Sequence, residues 1–215
     1  MISICVPSRG RPEKCARMVE SFKDTTKGDI EFQIYINQND PRLADYRKLV
    51  PQRHLHIGLE FYANHGWNIA ASRAKGDILF MSGDAEIMQT NNWDEIVYEE
   101  AKKYPISVIV PDDGRGKGGA PHFMVTRQWY DLLGYMSHPM FLHWHVDSYA
   151  VELAKATNVL RRVNIVYKAE KITSDKTAQL SRQNKITKRD DMAFEWAKKY
   201  LIPMEKEKIE RAIQL

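Results

Sequence analysis

The sequence predicts an α/β protein, a mostly parallel, doubly wound sheet with helices on both faces in a single domain. Three observations predict it. Apolar runs of strand length alternate with apolar stripes of helical spacing through about the first 110 residues, giving five β/α units. Two of the strand-like runs stop abruptly at polar clusters, as strands do at the ligand-binding edge of an open sheet. The chain has 215 residues, 43% hydrophobic and 28% charged, enough for one sizeable core.

The elements follow in order. Residues 2–6 (Ile-Ser-Ile-Cys-Val) read as a buried first strand, and Pro12 supplies a favourable first helical position after it. Cys15, Met18, Val19 and Phe22 then form an apolar helical stripe that ends near Lys23. Phe32, Ile34 and Ile36 alternate as a second strand, halted by Asn37-Gln38-Asn39-Asp40-Pro41. Leu55 and Ile57 mark a short third strand before Gly58. Trp67, Ala70, Ala71 and Ala74 make a helical face that closes at Gly76. Residues 78–81 are a fourth strand, stopped by Ser82-Gly83-Asp84. Asn92 with Glu95 has the form of a capping box, opening a helix through Trp93, Ile96, Val97 and Tyr104. Residues 106–110 are a fifth strand. Beyond Pro111 the alternation breaks. A Gly-rich loop at 112–119 is followed by a strand at 122–125, a helix at 127–133 and a helix from Asp147. A strand at 163–167 and a helical stretch from about Asp190 complete the chain.

Composition excludes several classes. No apolar run approaches the roughly 20 residues of a membrane span. The first strand begins without a basic leader, and no amphipathic anchor is legible, so the expectation is a cytoplasmic protein with no membrane partner. Two cysteines, Cys5 and Cys15, make no disulfide framework. Net charge is +4, but residues 161–189 hold nine Lys or Arg against two acids, which makes that stretch +7 and the remainder −3. Such a segment suits an anionic partner, or is a solvated surface.

The strand ends direct attention to residues 7–11, 37–40 and 82–86. In an extended Ser82-Gly83-Asp84-Ala85-Glu86, the two carboxylates project on the same side. Asp84 and Glu86 would then offer hard oxygen ligands to Mg²⁺ or Mn²⁺, which also bind substrate phosphates. An isolated Asp-x-Glu is ordinarily a solvated turn; its place after a buried strand favours the metal. The loop at 112–119 lacks the P-loop pattern and reads as a lid over a ligand or a plain connection.

Two segments carry a family resemblance: Val6-Pro7-Ser8-Arg9-Gly10-Arg11-Pro12, and Asn68 with Ala74-Lys75-Gly76-Asp77-Ile78-Leu79-Phe80 six residues on. Together they resemble the family 2 glycosyltransferases of the GT-A fold, over roughly residues 1–105. Gly134-Tyr135-Met136 with His145-Val146-Asp147 further resembles the acceptor half of small stand-alone phage-type members. The resemblance implies one catalytic domain over 1–215. It would comprise a nucleotide-sugar half (1–110), an acceptor half (111–189) and a C-terminal helical segment (190–215).

It also implies roles. Counting from Gly76-Asp77, the family's Asp-x-Asp motif falls on Ser82 and Asp84, so Asp84 is the expected metal ligand, with Glu86 added from its chemistry. A third ligand would come from His143 or, as the first choice, His145; histidines beside Trp144 otherwise read as packing residues. Pro7, Arg9 and Arg11 would approach the donor, with the guanidinium groups on phosphate or base. Asn39 and Asp40 would bond the base or ribose. Asn68 and Arg73 are further donor-side candidates, or plain helix-surface residues. Asp147 is the candidate general base, or else an ordinary helix N-cap. The implied reaction moves a sugar from a nucleotide-sugar, expected to be a UDP-sugar, to an acceptor hydroxyl with a divalent cation.

Small phage-type members include enzymes that glycosylate hydroxymethylated bases of DNA. A DNA acceptor would explain the +7 segment, through Arg161, Arg162, Lys168 and Lys171 as phosphate contacts. Two other classes stay open: a nucleotidyltransferase, and a non-catalytic nucleotide-binding module in which Ser82 has weakened the metal motif.

Overall fold

The strand-like runs are apolar on both faces, and a strand buried on both faces belongs inside a sheet covered by helices. The computed structural model describes residues 1–59, 62–111, 122–170, 179 and 185–214. Its main sheet contains β1 (Ile2–Ser8), β2 (Ile30–Asn37), β3 (Leu55–Gly58), β4 (Ile78–Met81), β6 (Val108–Pro111), β7 (Phe123–Thr126) and β8 (Leu160–Val163). They lie in the order β3-β2-β1-β4-β7-β6-β8. Only β7 runs against the rest, pairing antiparallel with both β4 and β6. A small second sheet pairs β5 (Glu86–Met88) with β9 (Tyr167–Ala169).

Alternation along each strand divides the core. Ile78 and Phe80 face one side, with Ile4, Ile34 and Ile36; there Met18 and Phe22 of α1 (Pro12–Asp24) and Trp93 of α4 (Trp93–Lys103) cover them. Leu79 and Met81 face the other side. That face is covered by α3 (Ala63–Arg73), α5 (Arg127–Leu133) and α6 (Val146–Ala156). Ile202 and Ile209 of α8 (Ile202–Ile213) close the same layer. The helix α7 (Ile186–Trp196) joins α8 through a π-helical turn at Ala197–Leu201. A short α2 (Leu43–Leu49) follows β2 and buries Tyr46.

Several sequence expectations are corrected. Asn92 precedes α4, but it adopts a left-handed conformation (φ 56°) and its side chain caps nothing. The helix is tied down instead by Asp94, which accepts from the Lys27 and Gly28 amides at 3.1 and 2.8 Å. The strand expected at 163–167 is two strands: β8 ends at Val163 in the main sheet, and β9 starts at Tyr167 in the small one. The last helical stretch begins at Ile186, four residues before Asp190. The short α2 and β5 gave no periodic signal. The Gly-rich loop at 112–119 and Lys171 lie outside the described residues.

Register brings the site together. Cys5 pairs with Met81 on β4, and Ser8 pairs with Ile36 on β2. The three strands therefore reach the same edge, and their following loops converge.

Candidate active site

At that edge is a cavity of about 160 Å³ lined by Pro7, Ser8, Arg9, Arg11, Tyr35, Asn37, Tyr62, Ala63, Gly66, Trp67, Gly83, Asp84 and His143. Asp84 is its one lining carboxylate among the described residues and is 2% exposed. The carboxylate Oδ2 accepts from Ser8 Oγ at 2.5 Å and from Arg11 Nε at 2.9 Å. Because a hydroxyl has one proton, Ser8 can give it to Asp84 only if Tyr46 donates to Ser8. Tyr46 and Ser8 are 2.5 Å apart, and the Tyr46 oxygen accepts the Arg11 amide at 2.9 Å. A relay of Arg11 amide, Tyr46, Ser8 and Asp84 thus fixes the carboxylate. Burial pushes the Tyr46 phenol far above its usual range, so it stays a neutral donor.

The first loop needs Gly10, whose φ of 69° disfavours a side chain. Its amide donates to Asp40 Oδ2 at 2.8 Å, while Asp40 Oδ1 accepts the Arg42 amide at 2.8 Å. Asp40 therefore brackets the loops after β1 and β2, and it does not line the cavity. Asn39 is exposed and also absent from the lining; Asn37, two residues earlier, takes the place expected for it. Helix α3 approaches β1 so closely at Gly66 that an added Cβ would lie 2.7 Å from Pro7 Cβ. Gly66→Ala should therefore cost about 1–3 kcal/mol of stability through overpacking and push Pro7 into the cavity. Chemical denaturation checks the first effect and nucleotide titration the second.

Asn68 does not reach the cavity. Its Oδ1 accepts the Met136 and Ser137 amides at 3.1 and 3.3 Å, and its Nδ2 donates to the Ser137 carbonyl at 2.7 Å. One turn earlier, buried Asn64 donates to the His138 and Phe141 carbonyls at 2.9 and 2.7 Å. Two asparagines four residues apart share one helix face, and here they clamp the loop that delivers His143 to the cavity. Arg73 sits exposed at the end of α3, outside the lining.

The extended geometry expected for residues 82–86 is absent. The chain turns at Asp84 and Ala85 before β5 begins. Glu86 starts β5 and lies 3.7 Å from His122 Nδ1, beside the cavity-lining Gly83, where an added Cβ would be 3.5 Å from Glu86 Oε1. Among the described residues no three His, Cys, Asp or Glu side chains cluster as a ready-made metal centre. His143, not His145, lines the cavity together with Asp84. His145 has φ 63°, stacks on Phe194 at 4.6 Å and contacts Asp191 Oδ1 at 2.7 Å.

Asp147 is in the first turn of α6, and the N-cap position belongs to His145, whose side chain makes no cap bond. The N-cap alternative for Asp147 is therefore corrected. Burial raises its carboxyl above the ordinary aspartate range. The basic residues disperse. Arg161 is the second residue of β8, the edge strand at the far side of the sheet from β3, and its guanidinium is 3.6 Å from the Tyr104 ring centroid. Arg162 is exposed beside it, and Lys168 is exposed on β9.

The fold is that of the GT-A glycosyltransferases. One solved structure of this kind is residues 1–349 of Staphylococcus aureus TarS in complex with UDP-GlcNAc. It is 12% identical with a TM-score of 0.60, over 82% of this chain and 60% of that one. Another is the mannosyltransferase PcManGT from Pyrobaculum calidifontis in complex with GDP-Man and Mn²⁺. It is 11% identical with a TM-score of 0.62, over 90% of this chain and 64% of that one. The chain thus spans under two thirds of the length of either neighbour. No protein-family model and no curated protein matches it in sequence. No helix among the described residues is long and apolar enough to cross a membrane.

Proposed function

We propose that the protein is a glycosyltransferase that takes a sugar from a nucleotide-sugar donor. The observation that carries this reading is the convergence of the β1, β2 and β4 ends on one buried carboxylate flanked by two arginines. Both neighbours are bound to nucleotide-sugars, one with Mn²⁺, and this fold places ligands beyond the strand ends. The donor's diphosphate would lie against Arg9 and Arg11, whose planar forks suit phosphate oxygens. Tyr35 and Asn37 would contact the base or ribose.

The residues fit a hard divalent cation that takes one protein carboxylate and completes its shell with water and phosphate oxygens. Asp84 would hold it, and when bound it would neutralise charge on the leaving diphosphate. In the transfer, the acceptor oxygen bonds to the anomeric carbon as the bond from that carbon to the diphosphate oxygen breaks. The electron pair leaves with the diphosphate, and the acceptor proton passes to Asp147.

Burial makes Asp147 a stronger base than an exposed aspartate, so transfer should fall as pH drops through its raised pKa. A carboxyl whose pKa rises on folding contributes stability below its unfolded pKa and loses it as pH climbs through the folded value. Activity and this contribution to stability therefore change in opposite directions with pH. Asp147→Asn should keep donor binding and lower transfer roughly 10²–10⁴-fold; near-normal transfer would remove Asp147 from the mechanism.

The direct test is nucleotide-sugar hydrolysis, without acceptor, with and without Mn²⁺. Cation-dependent release of nucleoside diphosphate supports the transferase. Pyrophosphate release from a nucleoside triphosphate would instead favour a nucleotidyltransferase, and binding without turnover a non-catalytic module. The phage-type DNA acceptor rests on the +7 segment, whose described members lie on β8, on β9 and at the start of α7. Duplex binding that weakens steeply with salt would support it; no binding at low salt would leave a carbohydrate or small-molecule acceptor.

A further inference from the structure

The two C-terminal helices present a surface that the active-site reading does not use. Met192, Trp196, Tyr200 and Met204 are 67%, 50%, 46% and 68% exposed, although apolar residues of this size normally face a core. They are spaced by four, and in an uninterrupted α-helix such a row drifts by about 40° per step. The π-helical turn at Ala197–Leu201 winds more slowly and takes part of that drift back, aligning the row. The Trp196 and Tyr200 rings touch, with centroids 5.5 Å apart. The same row continues into exposed Lys188 at one end and exposed Lys208 at the other.

We propose that this row is a docking surface for an anionic lipid bilayer. Charge favours it. Across residues 185–214 there are eight Lys or Arg. Arg189 pairs with Asp190, Lys198 with Glu195, Lys206 with Glu210 and Arg211 with Glu207, which leaves Lys185, Lys188, Lys199 and Lys208 outside these pairs. Trp and Tyr have an apolar body and a polar tip suited to the headgroup layer, and flanking lysines can reach lipid phosphates. Each cation near such a surface contributes about 1 kcal/mol.

A second copy of the chain fits worse. One row of four half-exposed side chains falls short of the ~800 Å² per partner of an ordinary interface. Antiparallel pairing of the row would also set Lys188 against the copy's Lys208, and parallel pairing would set each lysine against itself. The inference is independent of the donor site. It runs against the expectation of no membrane partner.

The test is co-sedimentation of the full chain with phosphatidylcholine vesicles containing phosphatidylglycerol, and with phosphatidylcholine alone. The expected result is partitioning onto the anionic vesicles that weakens with salt and falls roughly tenfold or more in W196S/Y200S. A second variant, K199E/K208E, should lose the preference for anionic lipid, with the thermal midpoints of both variants near that of the parent. Wild-type protein that stays in solution with anionic vesicles would overturn the proposal. So would undiminished binding by W196S/Y200S, or a dimer in sedimentation that this variant dissolves.

Discussion

Asp84→Asn should lower donor turnover roughly 10²–10³-fold, the scale seen when one preorganised electrostatic group is lost from a site. The substitution keeps the shape of the side chain but removes its charge. Arg11 then faces a neutral amide at the distance where it had a carboxylate 2.9 Å away. The relay through Ser8 and Tyr46 then ends on a neutral amide oxygen in place of a carboxylate. About 1.5–3 kcal/mol of stability should go with the charge-assisted bonds. Steady-state kinetics and chemical denaturation on the same preparation separate the two effects. The informative signature is loss of any Mn²⁺ stimulation, which a folding defect alone would not produce.

The second large effect is expected at Asp190, far from Asp84 in sequence and 0% exposed. Its Oδ2 accepts the His143 and Trp144 amides, both at 2.9 Å, and the Leu142 amide lies 3.2 Å from each carboxylate oxygen. Arg189 Nη1 is 2.8 Å from Oδ1. Asp190→Ala would strand three backbone donors at once, and removing one partner of a buried charged network costs about 3–5 kcal/mol. His143 sits on the released segment, so nucleotide affinity should fall together with the unfolding midpoint. Asp190→Asn, which can still accept, should recover part of both.

The parts of the site that were legible in the sequence are those set by local rules. Apolar runs halted by polar clusters located the ends of β2 and β4, and sheet register brings the end of β1, two residues beyond the expected run, beside them. Asp84 stood out because a carboxylate directly after a buried strand has few other uses. What was not legible depends on distant backbone. Asn68 matched the expected pattern, yet its partners are the amides and carbonyl of residues 136 and 137. The turn at Asp84 and Ala85, which no alternation rule anticipates, sets Glu86 at the start of β5. His143 lines the cavity, while His145, in a left-handed conformation, stacks on Phe194. Arg161 and Lys168 looked like one basic cluster in sequence. Strand order places the first on the edge of the main sheet and the second on a separate small sheet.

The most direct test of nucleotide-sugar binding at this site is the thermal unfolding of the full chain with UDP- and GDP-sugars, with and without Mn²⁺. A ligand at a hundredfold excess over its dissociation constant should stabilise the fold by ~2.7 kcal/mol. The predicted result is a cation-dependent rise of this size with at least one nucleotide-sugar, absent in Asp84→Asn. No rise with any of them in the presence of Mn²⁺, or an equal rise in Asp84→Asn, would contradict it.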